Sequence, residues 1–316
     1  MKPSVVLYGT GQFNQTFLTS ALTLDLPMTV SVLSSTQEPE QVYEDVQTAA
    51  SGCANAQVHL GIMTDFVTAD ALIIGDLVDL PRSASAEERL TATLPRLREL
   101  IQAAMAEGFK GKIIVASPDD GVLTYFAQKF SGVGANQCLG VGTLAHSCVL
   151  ANTLARTFNV PTDSVHAYVV GVGQEHVVAW SRSTIGPVPI LSLMANDAVE
   201  FNANQLGEIE QRLNQAIISA NDGLRSQAVL RILRALFFDR PMVGSVTNLL
   251  TTVVDRIVPL STPIRLTAMG ASKIVDVSYT EIEQRQLDEI TTTISAQITT
   301  IENGDFEPET DENDEH

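Results

Sequence analysis

The chain has 316 residues, 45% apolar and 18% charged, with 19 Lys and Arg against 37 Asp and Glu and a net charge of −18. That length can bury a large core in one or two domains, and the apolar share excludes wholesale disorder. The acidic balance excludes a general nucleic-acid binder and docking on an anionic membrane, because both need clustered Lys and Arg.

In chain order, Ser4 to Tyr8 reads as a short buried strand, followed by Gly9-Thr10-Gly11 and a helical stretch to about Leu24. Thr29–Leu33, Asp70–Ile74 and Lys112–Ala116 read as further buried strands. Between the last two, Glu87–Gly108 carries Leu90, Leu94, Leu97, Leu100, Ile101 and Met105 on one helical face. Apolar strands alternating with helices predict an α/β unit over roughly residues 1–145, with a parallel sheet covered on both faces. The second half has an α+β pattern. Gly142–Phe158 reads as helical, Val165–Gly171 and Val177–Ser181 as paired strands, and Gln205–Leu236 as a helical region broken near Asn221-Asp222-Gly223. Strands are predicted at Asn248–Val258, Ile264–Met269 and Ile274–Ser278, and a closing helix at Thr280–Ile301 with acids in its first turn.

From Glu302 to His316 there are eight acids and no Lys or Arg, which predicts a solvated, disordered tail. Without it 29 acids face 19 bases, so the charge excess is expected to describe a tail and a soluble body, not an acidic site. Three widely spaced cysteines, Cys53, Cys138 and Cys148, predict neither a disulfide framework nor a CxxC metal site. No metal is expected. The opening MKPSVVLYGTG has no signal-peptide core and no run of 18 apolar residues occurs, so a soluble cytoplasmic protein is expected.

Gly9-Thr10-Gly11-Gln12-Phe13-Asn14 stands between a strand and a helix, where a dinucleotide fold places its phosphate-binding turn. The first glycine permits the tight turn, and the second lets backbone N–H groups approach a pyrophosphate. The third position is Asn14, a side chain expected to obstruct close helix–strand packing.

Three longer stretches extend the pattern. Residues 123–143 run from Leu-Thr-Tyr-Phe-Ala-Gln-Lys-Phe-Ser-Gly to Val-Gly-Ala-Asn-Gln-Cys-Leu-Gly-Val-Gly-Thr. Residues 164–171 read Ser-Val-His-Ala-Tyr-Val-Val-Gly, and residues 180–190 read Trp-Ser-Arg-Ser-Thr-Ile-Gly-Pro-Val-Pro-Ile. In order and spacing these resemble the lactate/malate dehydrogenase family, and Ile264–Ile301 resembles its last hairpin and final helix. The resemblance covers about residues 3–301. It implies a Rossmann-type parallel-sheet domain over residues 1–143, an α+β C-terminal domain over 144–301, and a tail, 302–316, outside the family. It also implies NAD as cofactor, a 2-oxo or 2-hydroxy acid as substrate, and a homodimer or homotetramer.

The family's chemistry uses an imidazole that donates a proton to the carbonyl, an aspartate that orients it, a loop arginine that polarises the carbonyl, and a second arginine that pairs with the substrate carboxylate. In Gly171-Val172-Gly173-Gln174-Glu175-His176 the histidine position is Gly173, with His176 three residues on. The family's Gly-Thr-x-x-Asp-x-x-Arg stands as Gly142-Thr143-Leu144-Ala145-His146-Ser147-Cys148-Val149. His146 replaces the aspartate and Val149 replaces the carboxylate-binding arginine. Arg89 matches the loop arginine, Ser117 takes the asparagine position of Asn-Pro, and Arg82 is a candidate for a malate-type specificity position. Ser34 falls where the ribose-binding acid is expected. The candidates are therefore Arg89, His146 and His176 for chemistry, and Gly9, Gly11, Gln12, Phe13, Ser34 and Ser117 for the cofactor. His166 and Cys148 are read as structural. Three functions stay open: a non-catalytic homologue, an oxidoreductase of altered substrate using His146 or His176, and an interaction subunit that modulates an active relative.

Overall fold

The computed structural model describes residues 2–304 apart from 34–39, 82, 174, 196–200, 216–220, 254–255 and 275–276. In the first half β1 (Ser4–Tyr8), α1 (Gly11–Thr23), β2 (Thr29–Leu33), α2 (Glu40–Ala50), β3 (Gln57–Leu60), β4 (Ala71–Ile74), α3 (Ala86–Ala106), β5 (Lys112–Val115), α4 (Asp120–Ser131) and β6 (Cys138–Gly140) follow one another. The strands pair in parallel in the order β3-β2-β1-β4-β5-β6. The order reverses between β1 and β4, and a ligand crevice opens beyond the carboxyl ends of strands at such a reversal.

Side-chain alternation explains how both faces are covered. Val5 and Leu7 of β1 face Phe13 and Phe17 of α1, while Val6 faces the opposite layer with Leu90 and Leu97 of α3. A capping box starts α3: the Glu88 N–H donates to Ser85 Oγ at 3.1 Å and the Ser85 N–H to Glu88 Oε2 at 2.7 Å. Gly75, directly after β4, resolves the expected obstruction at Asn14. A Cβ there would lie 2.8 Å from Asn14 Oδ1, so its absence makes room for the larger side chain and the helix still packs closely.

The second half contains α5 (Leu144–Thr157), β7 (Val165–His166), β8 (Val169–Val172), β9 (Glu175–Val178), β10 (Thr184–Ile185), β11 (Val188–Pro189), α6 (Ile190–Met194), α7 (Ala203–Gln215), α8 (Asp222–Phe237), β12 (Met242–Val253), β13 (Arg256–Thr267), β14 (Gly270–Ser272) and α9 (Glu281–Glu302). The large sheet does not stop at β6. It continues antiparallel through β12, β13, β8 and β9, while β11-β10-β7 form a small separate sheet. The helix α8 packs on the same layer as α1, and α9 packs beside α4.

Three expectations are corrected. The predicted strand at Asn248–Val258 crosses a hairpin: β12 ends at Val253 and β13 begins at Arg256. Thr, Val and Ile occupy both arms, and no Gly or Pro marks the turn. Ile274, Val277 and Ser278 lie outside any strand. The expected tail also begins too early at Glu302, which is the last residue of α9. Its Oε1 accepts from the Tyr125 hydroxyl at 2.8 Å and from Lys129 Nζ at 2.6 Å. Residues 305–316 lie outside the described residues. Among the described residues, no helix is long and apolar enough to cross a membrane.

Candidate functional site

A cleft of about 740 Å³ opens where the parallel strands end. Gly11 and Gln12 line it from the start of α1, Ser117, Pro118 and Asp119 from the segment after β5, and Gly173 and Glu175 from the β8–β9 turn. Thr293, Ile294 and Gln297 of α9 close one side.

The turn before α1 has the shape that the glycines predict. Gly9 adopts φ +148° and its missing Cβ leaves 2.8 Å to the Asp76 carbonyl oxygen, so a side chain would collide with backbone. Gly11 adopts φ +77° with open space where a Cβ would be. The first turn of α1 holds no acid and Thr10 makes no side-chain cap. The Thr10 N–H, however, is taken by the Asp76 carbonyl at 2.7 Å.

The opposite end differs in charge. Arg89 lies on α3 and is held by Asp119 through two bonds, Nε to Oδ2 at 2.6 Å and Nη2 to Oδ1 at 2.7 Å. Its Nη1 donates to the Ala84 carbonyl at 2.6 Å. The hydrogen bonds to Asp119 raise the guanidinium pKa further. Arg225, on the first turn of α8, is only 3% exposed. It makes a bidentate pair with Asp76 at 2.8 Å for each bond, donates to the Ala116 carbonyl at 2.8 Å, and pairs with Asp222. Its guanidinium lies 4.7 Å from the centre of the Phe13 ring.

Among the described residues the cleft lining therefore carries Asp76, Asp79, Asp119, Asp222 and Glu175 against Arg89 and Arg225. The expectation that the acidic excess lies away from the site is corrected, since five acids outnumber two bases in the cleft itself. Sequence reading missed Asp76, Asp119, Asp222 and Arg225. The Asp76–Arg225 pair spans 149 positions, and no local pattern announces it. Asp119 was open to notice, directly after the Ser117-Pro118 already singled out.

The other candidates are dispersed. Gly173 lies at the cleft, where a Cβ would stand 3.3 Å from the Pro118 carbonyl oxygen. Phe13 is fully buried and supports Arg225 from below. His146 and His176 meet each other, ring centres 4.9 Å apart. They do so on the face of β9 opposite the one that lines the cleft. Val177 packs toward α9 with Leu287, whereas Val178 packs toward α5 with Leu150, so strand alternation puts Glu175 on the α9 side and His176 on the α5 side. His146 is 1% exposed, its ring nitrogens have no hydrogen-bond partner among the described residues, and burial beside His176 lowers its pKa to about 3. Val149 packs against the apolar cluster around α5. Ser34 and Arg82 lie outside the described residues. Among the described residues no group of His, Cys, Asp and Glu is arranged to hold a metal.

The family described as lactate/malate dehydrogenase, alpha/beta C-terminal domain, matches residues 147–304. The chain belongs to the lactate/malate dehydrogenase family. It is 26% identical over 241 residues to L-lactate dehydrogenase 1 of Bifidobacterium longum, covering 74% of this chain and 76% of that enzyme. Its fold is similar to that of MGS-M5, a lactate dehydrogenase from a Medee basin deep-sea metagenome library, with TM-score 0.85, 23% identity, and 95% and 99% of the two chains covered. The Cryptosporidium parvum lactate dehydrogenase, solved with lactic acid and nicotinamide adenine dinucleotide, superimposes with TM-score 0.85 at 18% identity over 96% of this chain and 99% of that one. Membership accounts for the Rossmann-type sheet and the C-terminal half that extends it.

Proposed function

We propose that this member of the lactate/malate dehydrogenase family does not reduce 2-oxo acids. The Arg89–Asp119 pair carries the reading. An arginine that is to polarise a substrate carbonyl must offer N–H donors to the cleft, and the carboxylate of Asp119 already takes two of them. A 2-oxo acid must also bring its own carboxylate into a lining where acids outnumber bases, and Val149 replaces the arginine that would receive it. At Gly173 there is no side chain to move a proton. General acid–base catalysis alone contributes roughly 10²–10⁴-fold.

The alternative with His146 or His176 as acid and base has less support. Their contact lies across β9 from the cleft, and an imidazole whose pKa is lowered to about 3 is neutral at physiological pH. For the cofactor, the glycines of the α1 turn favour a pyrophosphate, and the family makes NAD the candidate dinucleotide. We place the protein in the cytoplasm as a homodimer or homotetramer, on the strength of the family resemblance. The interaction-subunit reading makes an active relative its partner instead. Light scattering of the purified chain and co-purification from its native cells separate the two.

The test of the central reading is turnover of pyruvate, oxaloacetate, lactate and malate with NADH, NADPH and their oxidised forms. The expected result is a rate at least four orders of magnitude below the enzyme median of roughly 10 per second. A rate within tenfold of that median overturns the reading.

A further inference from the structure

We propose that Arg225 plugs the inner end of the dinucleotide crevice, so that the ring end of a nicotinamide dinucleotide has no place in this chain. The inference goes beyond loss of 2-oxo-acid reduction, because it concerns binding and holds whether or not any chemistry survives.

The argument begins with topology. A dinucleotide in such a sheet lies across the reversal of strand order, with its pyrophosphate at the first glycine turn and its two halves beyond the strand ends on either side. Here the reversal lies between β1 and β4. On the β4–β5 side, the polar groups beyond the strand ends include the Asp76 carboxylate and the Ala116 carbonyl. A planar amide entering from the ligand would need such groups as partners. Both are already engaged by one guanidinium, at 2.8 Å each.

Arg225 is placed there by several independent constraints. Asn221 caps α8 by accepting the Leu224 N–H at 3.0 Å, which sets the first turn of the helix against the strand ends. Asp222, one residue into that helix, holds a second edge of the guanidinium. Phe13 lies beneath it at 4.7 Å from ring centre to the guanidinium carbon. Gly75 admits Phe13 and Asn14 to that layer, since a Cβ at Gly75 would stand 2.9 Å from Phe13 Cδ1. The plug is thus a buried, planar, hydrogen-bonded group stacked on an aromatic ring inside the fold. A ligand would have to separate a bidentate ion pair and leave two carboxylates without their cation, which is costly in a buried setting.

The plug leaves the phosphate end of the cleft alone. Gly11 and Gln12 line the cleft at the α1 terminus, away from Arg225. The plug therefore bears on the ring end of the crevice and not on the glycine turn at the start of α1.

The experiment compares NADH with ADP-ribose, which lacks the nicotinamide ring, by calorimetric titration of the full chain up to about 1 mM. The plug predicts that NADH binds no tighter than ADP-ribose, or that neither saturates. NADH binding tenfold or more tighter than ADP-ribose to the wild-type chain overturns the inference. The second arm removes the plug together with its acids, as Arg225→Met, Asp76→Asn, Asp222→Ser, so that no bare carboxylate repels the phosphates. In this variant, checked for a cooperative melt, NADH affinity is expected to rise at least tenfold while ADP-ribose changes less than threefold. No gain for NADH in a folded variant overturns the proposal, and if the variant does not fold the wild-type comparison still decides. Turnover is not read in either arm, so catalytic silence and a closed crevice are distinguished.

Discussion

The two ends of the cleft differ in what holds them. At the α1 end, Gly9 and Gly11 have positive φ and the helix start carries no acid. At the far end every basic group in the described lining is paired within the protein, Arg89 with Asp119 and Arg225 with Asp76 and Asp222. Backbone geometry at the first end belongs to the fold, because Gly9 must clear the Asp76 carbonyl for β1 and β4 to lie side by side. Charge at the second end is free of that requirement, and it is held in internal ion pairs.

The largest test of this contrast is Arg225→Ala. Removing the guanidinium strands two carboxylates beside a buried layer, and a loss of about 3–5 kcal/mol in unfolding free energy is expected from urea melts. A loss below about 1 kcal/mol would mean that the pair is not a structural feature.

Next are two buried titrating groups of opposite sign. Asp120 lies at the start of α4, accepts from the Gly142 N–H at 2.8 Å, and has its pKa raised to about 7, chiefly by burial. A carboxyl whose folded pKa is raised above its unfolded value of roughly 3.9 stabilises the fold below that value and loses the contribution as pH rises through 7. His146, its pKa lowered to about 3 by burial and by His176, has the reverse effect: its contribution is complete above roughly 6.5 and is lost as pH falls toward 3. Between pH 4 and 7 the two oppose each other. Asp120→Asn should therefore make the chain more acid-sensitive and His146→Leu less so, each by about 2 kcal/mol across that window in pH-dependent urea midpoints. The same slope in both variants as in wild type would refute the assignment.

Asp119→Asn comes third. It frees Arg89, which is 28% exposed, and should cost about 1–2 kcal/mol while returning a basic group to the cleft. That variant sharpens the contrast directly, because oxalate, a mimic of a 2-oxo acid, should bind it more tightly than wild type in a calorimetric titration. Glu302→Gln is the smallest. It loosens an exposed pair with Lys129 at the end of α9, and about 0.5 kcal/mol or less is expected in the thermal melt.

Much of this molecule is readable from sequence, and the exceptions have physical causes. The parallel strands are legible because Val-Val-Leu, Ala-Leu-Ile-Ile and Ile-Ile-Val are buried on both faces. Short pieces such as β3 and β6, of four and three residues, carry too little pattern. The hairpin of β12 and β13 is hidden because its turn lacks Gly and Pro. In the site, Gly173, His146, Val149 and Arg89 are positions that the sequence singles out. Of the carboxylates that pair with the arginines, Asp119 follows Ser117-Pro118 and Asp222 stands in Asn221-Asp222-Gly223, but Asp76 carries no local signal. Asp76 and Arg225 are brought together only when α8 folds back over β4 and β5, and a single sequence records no trace of that meeting.

The measurement that bears most directly on the central claim is steady-state reduction of pyruvate and oxaloacetate by NADH, followed by absorbance at saturating substrate with the folded, full-length chain. Internal pairing of Arg89, together with Val149 and Gly173, predicts turnover below about 10⁻³ per second, four orders under the enzyme median of roughly 10 per second. Turnover of about 1 per second or more on either acid would contradict it.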